Sequence, residues 1–304
     1  MTLIDVHEMF STDEKCRELL KRLRWPNKPE CPRCSGDVTE LVVTKVTQGK
    51  ELLYCRYCQY QFTVTSNTVF HDSHLPLIKW LVATYLMCES RKGMSANQMK
   101  RMLGVSYKTA WYLCHRIRSA MKAINAEKLS GTVEVDETYV GGKTRQGNKG
   151  MGRSKANKEI VIGIRQRGGE LRFFHAQDVT SGTLGSYIQA NISDDVDVII
   201  TDDFRSYLKA VGNKNHETIS HSSRVYVDGD IHTNTIESAF SLLKRGIMGT
   251  WHSISAKHLL SYLDEMTFRF NRRNASDLFI DTLRHMITAD PLTYEKLTSD
   301  KSAA

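Results

Sequence analysis

No stretch of this 304-residue chain holds the ~18 uninterrupted apolar residues that a bilayer span requires, so no membrane helix is expected. The opening MTLIDVHEMFSTDEKC lacks a basic segment followed by an apolar core, and so does not read as a secretory leader. These absences point to the cytoplasm, where thiols stay reduced. The seven cysteines are then metal ligands or buried thiols rather than disulfides. Acidic residues are in deficit, 34 against 42 lysines and arginines, which leaves a formal net charge of +8 and favours a polyanionic partner. Nucleic acid and an acidic membrane surface both satisfy that electrostatics. No internal repeat is visible. What remains is an ordinary globular balance, 40% hydrophobic and 25% charged, in a chain long enough for two or three domains.

Patterning divides the chain into unlike segments. Residues 1–29 read as helical, with Phe10, Leu19, Leu20 and Leu23 in a charged background that ends at Trp25-Pro26. Residues 30–66 carry short β-like runs between turn residues and cysteine pairs. Helical periodicity returns from Leu75 to Asn125. From Thr132 to His221 strands alternate with helices, the order expected of a mixed α/β sheet, and Thr233–Arg273 is helical again. The expected divisions are an N-terminal helix with a metal ribbon (1–70), a helical module (71–128), an α/β domain (129–280) and a tail (281–304).

Cys31-Pro-Arg-Cys34 and Cys55-Arg-Tyr-Cys58 are two C-x-x-C pairs flanking a segment that reads as a β-hairpin. Two residues between cysteines let both thiolates reach one ion, and two such knuckles close a tetrahedral structural zinc site. Cys16, Cys88 and Cys114 lie in helical apolar patterns and read as buried thiols. Lys21, Arg22, Arg24, Lys28, Arg33, Lys45 and Arg56 surround the ribbon and suit contact with phosphates.

The stretch SANQMKRMLGVSYKTAWYLCHRIRSAM reads as helix, turn, helix. Ser95 and Ser106 are placed to cap the two helices, and Gly104 permits the turn. Ala110, Leu113, Cys114 and Ile117 face the first helix. Lys108, Thr109, Tyr112, Arg116 and Arg118 are left to project outward or flank a groove, as on a helix that enters a DNA major groove.

Three acids stand out in the α/β region. Asp136 sits in the β-branched run TVEVDETY, and an acid on a buried strand is expensive unless something pairs with it or binds it. Asp202 ends the apolar run VDVIITD, at the carboxyl end of a strand, where ligand sites of open α/β sheets gather. Glu237 lies in the helical HTNTIESAFSLLKRG, with Lys244 two turns further along the same face. Three such carboxylates can hold two divalent cations for in-line phosphoryl transfer, and oxygen-only ligands suit magnesium or manganese. Read without function, Glu134 and Glu137 are solvated strand acids, Asp203 caps the next helix and Lys244 is a surface lysine.

The blocks VEVDETYVGGK, TDDFRSY and HTNTIESAFSLLKRGIMGTWHSISAKHLLSYLDEMTFRFNRR closely resemble the transposases of the ISXO-like group of bacterial insertion sequences, a resemblance that extends over residues 15–275. It implies an N-terminal zinc ribbon followed by a catalytic domain of RNase H-like fold. It also implies an Asp-Asp-Glu triad at Asp136, Asp202 and Glu237, with Lys244 acting beside the glutamate. Asp203 and Asn234 stand next to the second and third of these as competing ligands. The implied activity is a DNA transposase that binds terminal inverted repeats, hydrolyses phosphodiesters and transfers strands into target DNA. Its partner is double-stranded DNA, on which it is expected to act as a homodimer or higher oligomer.

Residues 141–158 carry Lys143, Arg145, Lys149, Arg153, Lys155 and Lys158 and no acid, and read as a surface loop placed to close over DNA phosphates. His232, His252, His258, Arg269, Arg272 and Arg273 read as DNA-contacting or packing groups, and Trp251 as core.

Overall fold

The computed structural model describes residues 2–35, 41–47, 50–122, 126–141, 158–219 and 231–299. The chain divides into two compact units, residues 1–122 together with 273–304, and residues 123–272. The basic stretch 141–158 lies almost wholly outside the described residues.

The first unit opens with α1 (Leu3–Met9), started by a capping box in which Asp5 N donates to Thr2 Oγ1 and Thr2 N to the Asp5 carboxylate. Helix α2 (Asp13–Arg24) follows from its Thr12 cap and stops ahead of Pro26. A three-stranded antiparallel meander comes next: β1 (Leu41–Thr47), β2 (Lys50–Cys55) and β3 (Gln61–Phe62). Arg24 joins α2 to this ribbon by donating to Val64 O at 2.6 Å, and Lys21 pairs with Glu51 at 2.6 Å. Helix α3 (Leu77–Glu89) leads into α4 (Ala96–Leu103) and α5 (Tyr107–Ser119).

Helices α4 and α5 are joined by a short turn with caps at both starts. Ser95 Oγ accepts from Gln98 N and Ser106 Oγ from Thr109 N, while Gly104 takes the left-handed φ of +61° that turns the chain. The expected outward set needs correction. Arg116 and Arg118 are 4% and 2% exposed. The Arg116 guanidinium stacks over Trp80 at 4.9 Å and Tyr112 at 5.2 Å and donates to His71 O, and Arg118 donates to Met94 O at 3.4 Å. The reason is that α5 runs through the middle of its unit, where a planar cation is stabilised on aromatic faces and backbone carbonyls. Lys108 and Thr109, in the first turn, do lie exposed.

The second unit is a five-stranded sheet in the order β6-β5-β4-β7-β8. Its strands are β4 (Thr132–Val140), β5 (Glu159–Gln166), β6 (Leu171–Ala176), β7 (Val198–Asp202) and β8 (His216–Ile219). The first three form an antiparallel meander, and β7 and β8 add in parallel to β4. This 3-2-1-4-5 order, with only the second strand reversed, is the RNase H-like arrangement. Helices α6 (Ser181–Asn191) and α7 (Arg205–Ala210) cover one face, over a core that includes Val133, Val135, Ile162, Ile199, Leu184 and Tyr207. Helix α8 (Asn234–Gly246), a π-helical turn (Ile247–Trp251) and α9 (Ala256–Asn271) cover the other, over Val161, Phe173, Ile236, Phe240, Trp251 and Leu263. The chain then returns to the first unit as α10 (Leu278–Thr288) and α11 (Tyr294–Thr298). There Phe279 packs on Phe10 and Tyr85, and the Tyr112 hydroxyl donates to Leu292 O at 2.6 Å. Among the described residues no helix is long and apolar enough to cross a membrane.

Candidate active site

Strand alternation decides which acids can meet. Val133 and Val135 point into the α6/α7 core, so Glu134, Asp136 and Val140 point to the α8/α9 face, where Val140 packs. In β7, Ile199 points to the α6/α7 side, so Asp202 shares the α8 face with Asp136. The parallel register pairs Glu134 with Ile200, and continued by two residues it sets Asp136, midway along β4, beside Asp202 at the end of β7. Glu237 arrives from α8, which lies on this same face.

The electrostatics follow from this layout. The Asp136 carboxyl is pushed up to about 7, first by burial, then by the negative charge of Glu137, with Asp202 and Glu237 adding to it. Asp202 accepts from Phe204 N at 3.1 Å and Glu237 from Thr233 Oγ1 at 3.1 Å. Asp203 lies one residue past the strand and is exposed. Asn234 sits one turn ahead of Glu237 on the same helical surface, also exposed, and Lys244 is exposed two turns beyond Glu237. Asp136, midway along β4, and Asp202, the last residue of β7, thus lie on the face over which α8 carries Glu237. All-oxygen donors of this kind suit a hard divalent cation, which would offset the burial and the neighbouring negative charge that raise the Asp136 carboxyl.

Two strand acids depart from the solvated reading. Glu137 points to the opposite face and accepts from the Tyr207 hydroxyl at 2.8 Å; burial, then Glu137, hold that phenol well above its ordinary value. Glu134 is fully buried. One of its oxygens accepts from Arg167 Nε at 2.7 Å and the other from the backbone N–H groups of Thr235 and Ile236 at 3.0 and 2.9 Å. It is buried because α8 starts directly over it. Alternation along TVEVDETY already put Glu134 on the face of Asp136, but nothing local announced the helix end it would meet. Gly163 was equally silent. It pairs with Asp136 across β4–β5, and a Cβ there would stand 2.6 Å from Ile236 Cδ1 and 2.8 Å from Phe240 Cζ. Its missing side chain is what lets α8 lie so close to the sheet. Trp251 is core, packed on Tyr262, and Arg269 is buried against Glu265 at 3.3 Å. His232 joins the Glu134–Arg167 group, with Arg167 donating to its carbonyl at 2.8 Å.

In the first unit, Cys31, Cys34, Cys55 and Cys58 bring their sulfurs within 4.8 Å of one another. Cys31 and Cys58 stand 3.5 Å apart, and Cys34 and Cys55 3.7 Å. Four thiolates at ~2.3 Å from a tetrahedral zinc ion would be separated by about 3.8 Å, so the four cysteines suit a structural zinc. The Cys55 thiol is pulled down to about 7, chiefly by the Cys58 backbone N–H, which favours the ligating thiolate. Cys16, Cys88 and Cys114 are buried elsewhere, and burial followed by the Asp13 charge pushes Cys16 up to about 12.

Comparison with known proteins places these features in a group. Residues 128–271 match the family described as ISXO2-like transposase domain, and residues 11–61 match the transposase zinc-ribbon domain. A protein of Halobacterium salinarum, described as an uncharacterized protein in transposable element ISH50, is 29% identical over 285 residues, covering 86% of this chain and 91% of that one. Among solved structures, the Mos1 strand transfer complex is similar at a TM-score of 0.28 and 10% identity, covering 68% of this chain and 74% of that one. A pre-cleavage Mos1 transpososome gives 0.26 and 12%, covering 68% and 75%.

Proposed function

The chain belongs to the ISXO-like transposases, carrying both their zinc-ribbon and their transposase domains, and on that premise we propose that it processes the ends of an insertion sequence. It binds the terminal inverted repeats, hydrolyses a phosphodiester at each end and joins the freed 3′-hydroxyl to target DNA. Both steps are in-line phosphoryl transfers at one site. Because two ends must be handled together, the working form is a homodimer or higher oligomer on DNA.

The observation that carries this reading is that Asp136 and Asp202 share the sheet face over which α8 carries Glu237, with the negative charges of Asp202 and Glu237 both felt at the buried Asp136 carboxyl. These three are the proposed ligands of magnesium or manganese. When bound there, a pair of such ions would supply activation of the attacking water or 3′-hydroxyl and stabilisation of the leaving oxygen. Asp136 holds its part of the site from the middle of β4 and Asp202 from the end of β7, and Glu237 closes it from α8. Lys244, along the same helix face, binds a phosphate of the DNA end. The ribbon and the helix-turn-helix supply binding to the duplex, with Lys108 and Thr109 as the exposed first-turn contacts of α5.

The test is purified protein with an end-containing duplex and Mg²⁺. Cleavage and joining are expected, and Asp136→Asn should bind the duplex as before while cleavage falls by about 10³-fold or more, equivalent to about 4 kcal/mol of barrier. A protein that binds but never nicks is a regulator; one that cuts but never joins is a nuclease. Full cleavage by Asp136→Asn would remove the assignment.

A further inference from the structure

We propose that Glu134 is a positioning residue of the transfer site: a buried carboxylate on β4 that caps α8 and so sets where Glu237 stands relative to Asp136. The inference rests on the triad reading above and deepens it.

Four backbone N–H groups at a helix start need partners, and the residue before the helix usually supplies one. Here Thr233 holds the cap position but makes no capping bond from its side chain; its hydroxyl instead donates to Glu237 Oε1 at 3.1 Å. The cap comes from the sheet. Glu134 accepts from Thr235 N and Ile236 N, the second and third residues of α8, across a sequence separation of about a hundred positions. A carboxylate at that end is also favoured by the helix dipole.

Glu134 belongs to the same strand and the same face as Asp136, so one short piece of rigid backbone holds the first proposed ligand and the anchor of the third. Full burial excludes Glu134 itself from ligating an ion in water. Its charge is balanced by Arg167, whose guanidinium bonds Glu134 at 2.7 Å and the His232 carbonyl at 2.8 Å, tying the segment entering α8 to the same point. The arrangement removes freedom from α8 along its axis, since sliding or tilting the helix would break two charge-assisted bonds at once.

The test compares Glu134→Gln, Asp136→Asn and the unaltered protein. Glutamine keeps the shape, but its NH₂ cannot accept from a donor and the charge is gone. Three readings are taken: Mn²⁺ affinity by electron paramagnetic resonance, backbone hydrogen exchange at Thr235 and Ile236, and KM and kcat for end cleavage. For Glu134→Gln we expect faster exchange in the first turn of α8, Mn²⁺ binding weakened at least tenfold, and kcat lowered at least a hundredfold with KM for DNA within twofold. A merely structural loss would lower the folded fraction yet leave Mn²⁺ affinity and kcat of the folded molecules unchanged, and that result overturns the proposal. If Asp136→Asn also retained Mn²⁺ binding and cleavage, the triad reading itself would fall. Should Glu134→Gln yield no folded protein, Glu134→Asp, which keeps the charge and shortens the reach by one methylene, is read by the same criteria.

Discussion

Replacing Gly163 by alanine adds a single methyl group at the point where α8 lies nearest the sheet. The new Cβ would stand 2.6 Å from Ile236 Cδ1 and 2.8 and 3.0 Å from two ring atoms of Phe240. Ordinary carbon contacts are at about 3.5–4.0 Å, so roughly 1 Å must be found. Side-chain rearrangement cannot easily supply it. Ile236 is 0% and Phe240 4% exposed, and the Phe240 ring is stacked on Phe173 at 5.4 Å. The helix must therefore lift, carrying Glu237 with it. Overpacking of this kind costs about 1–3 kcal/mol, and a displacement of about 1 Å at a reacting centre costs about 10²-fold in rate. Chemical denaturation and Mg²⁺-dependent cleavage of an end duplex measure the two effects separately, while duplex affinity should stay within twofold. Adding Ile236→Val to the alanine variant removes the nearest clashing atom and should recover part of both losses. If Gly163→Ala loses the expected stability yet cleaves within twofold of the parent, helix–strand spacing does not set Glu237 and the reasoning is wrong.

Two other outcomes follow from the metal sites. Cys55→Ser, or a strong chelator, should release the zinc and unfold the ribbon, because the binding energy of such a site is its folding energy; zinc content and circular dichroism check this, with a loss of duplex binding alongside it. The raised Asp136 carboxyl sets a pH dependence in the metal-free protein. Its folded value of about 7 exceeds the ordinary 3.8, so the fold favours the protonated form. That contribution is complete below the ordinary value and is lost as pH rises through about 7. Magnesium or manganese binding should accordingly release about one proton at pH 6 and almost none at pH 8.5, read by calorimetry in buffers of different ionisation enthalpy. Equal proton release at both values would contradict the Asp136 assignment.

Much of this architecture was legible along the chain because it depends on local rules. The C-x-x-C knuckles, the serine caps at Ser95 and Ser106, the left-handed Gly104 and the period-2 run around Asp136 each depend on a handful of neighbouring residues, and each appears where local chemistry puts it. The misread residues share a different property. Arg116 and Arg118 look like a basic outer face when α5 is considered alone, and become interior cations only because Trp80, Tyr112 and the carbonyls of His71 and Met94 surround them. Glu134 looks like any solvated strand acid until a helix begin a hundred positions later is brought over it.

The sequence by itself thus determined the cysteine knuckles and the caps at Ser95 and Ser106, since residue type and spacing are sufficient for each, while the three acids it offered rested on the family resemblance. Only the tertiary structure decided which acids share a sheet face, that Glu134 is buried beneath the start of α8, and that Gly163 admits α8 to the sheet. Those outcomes depend on strand register and on the distance between layers. Register and layer spacing arise from packing among residues far apart in the chain, and no local pattern encodes them.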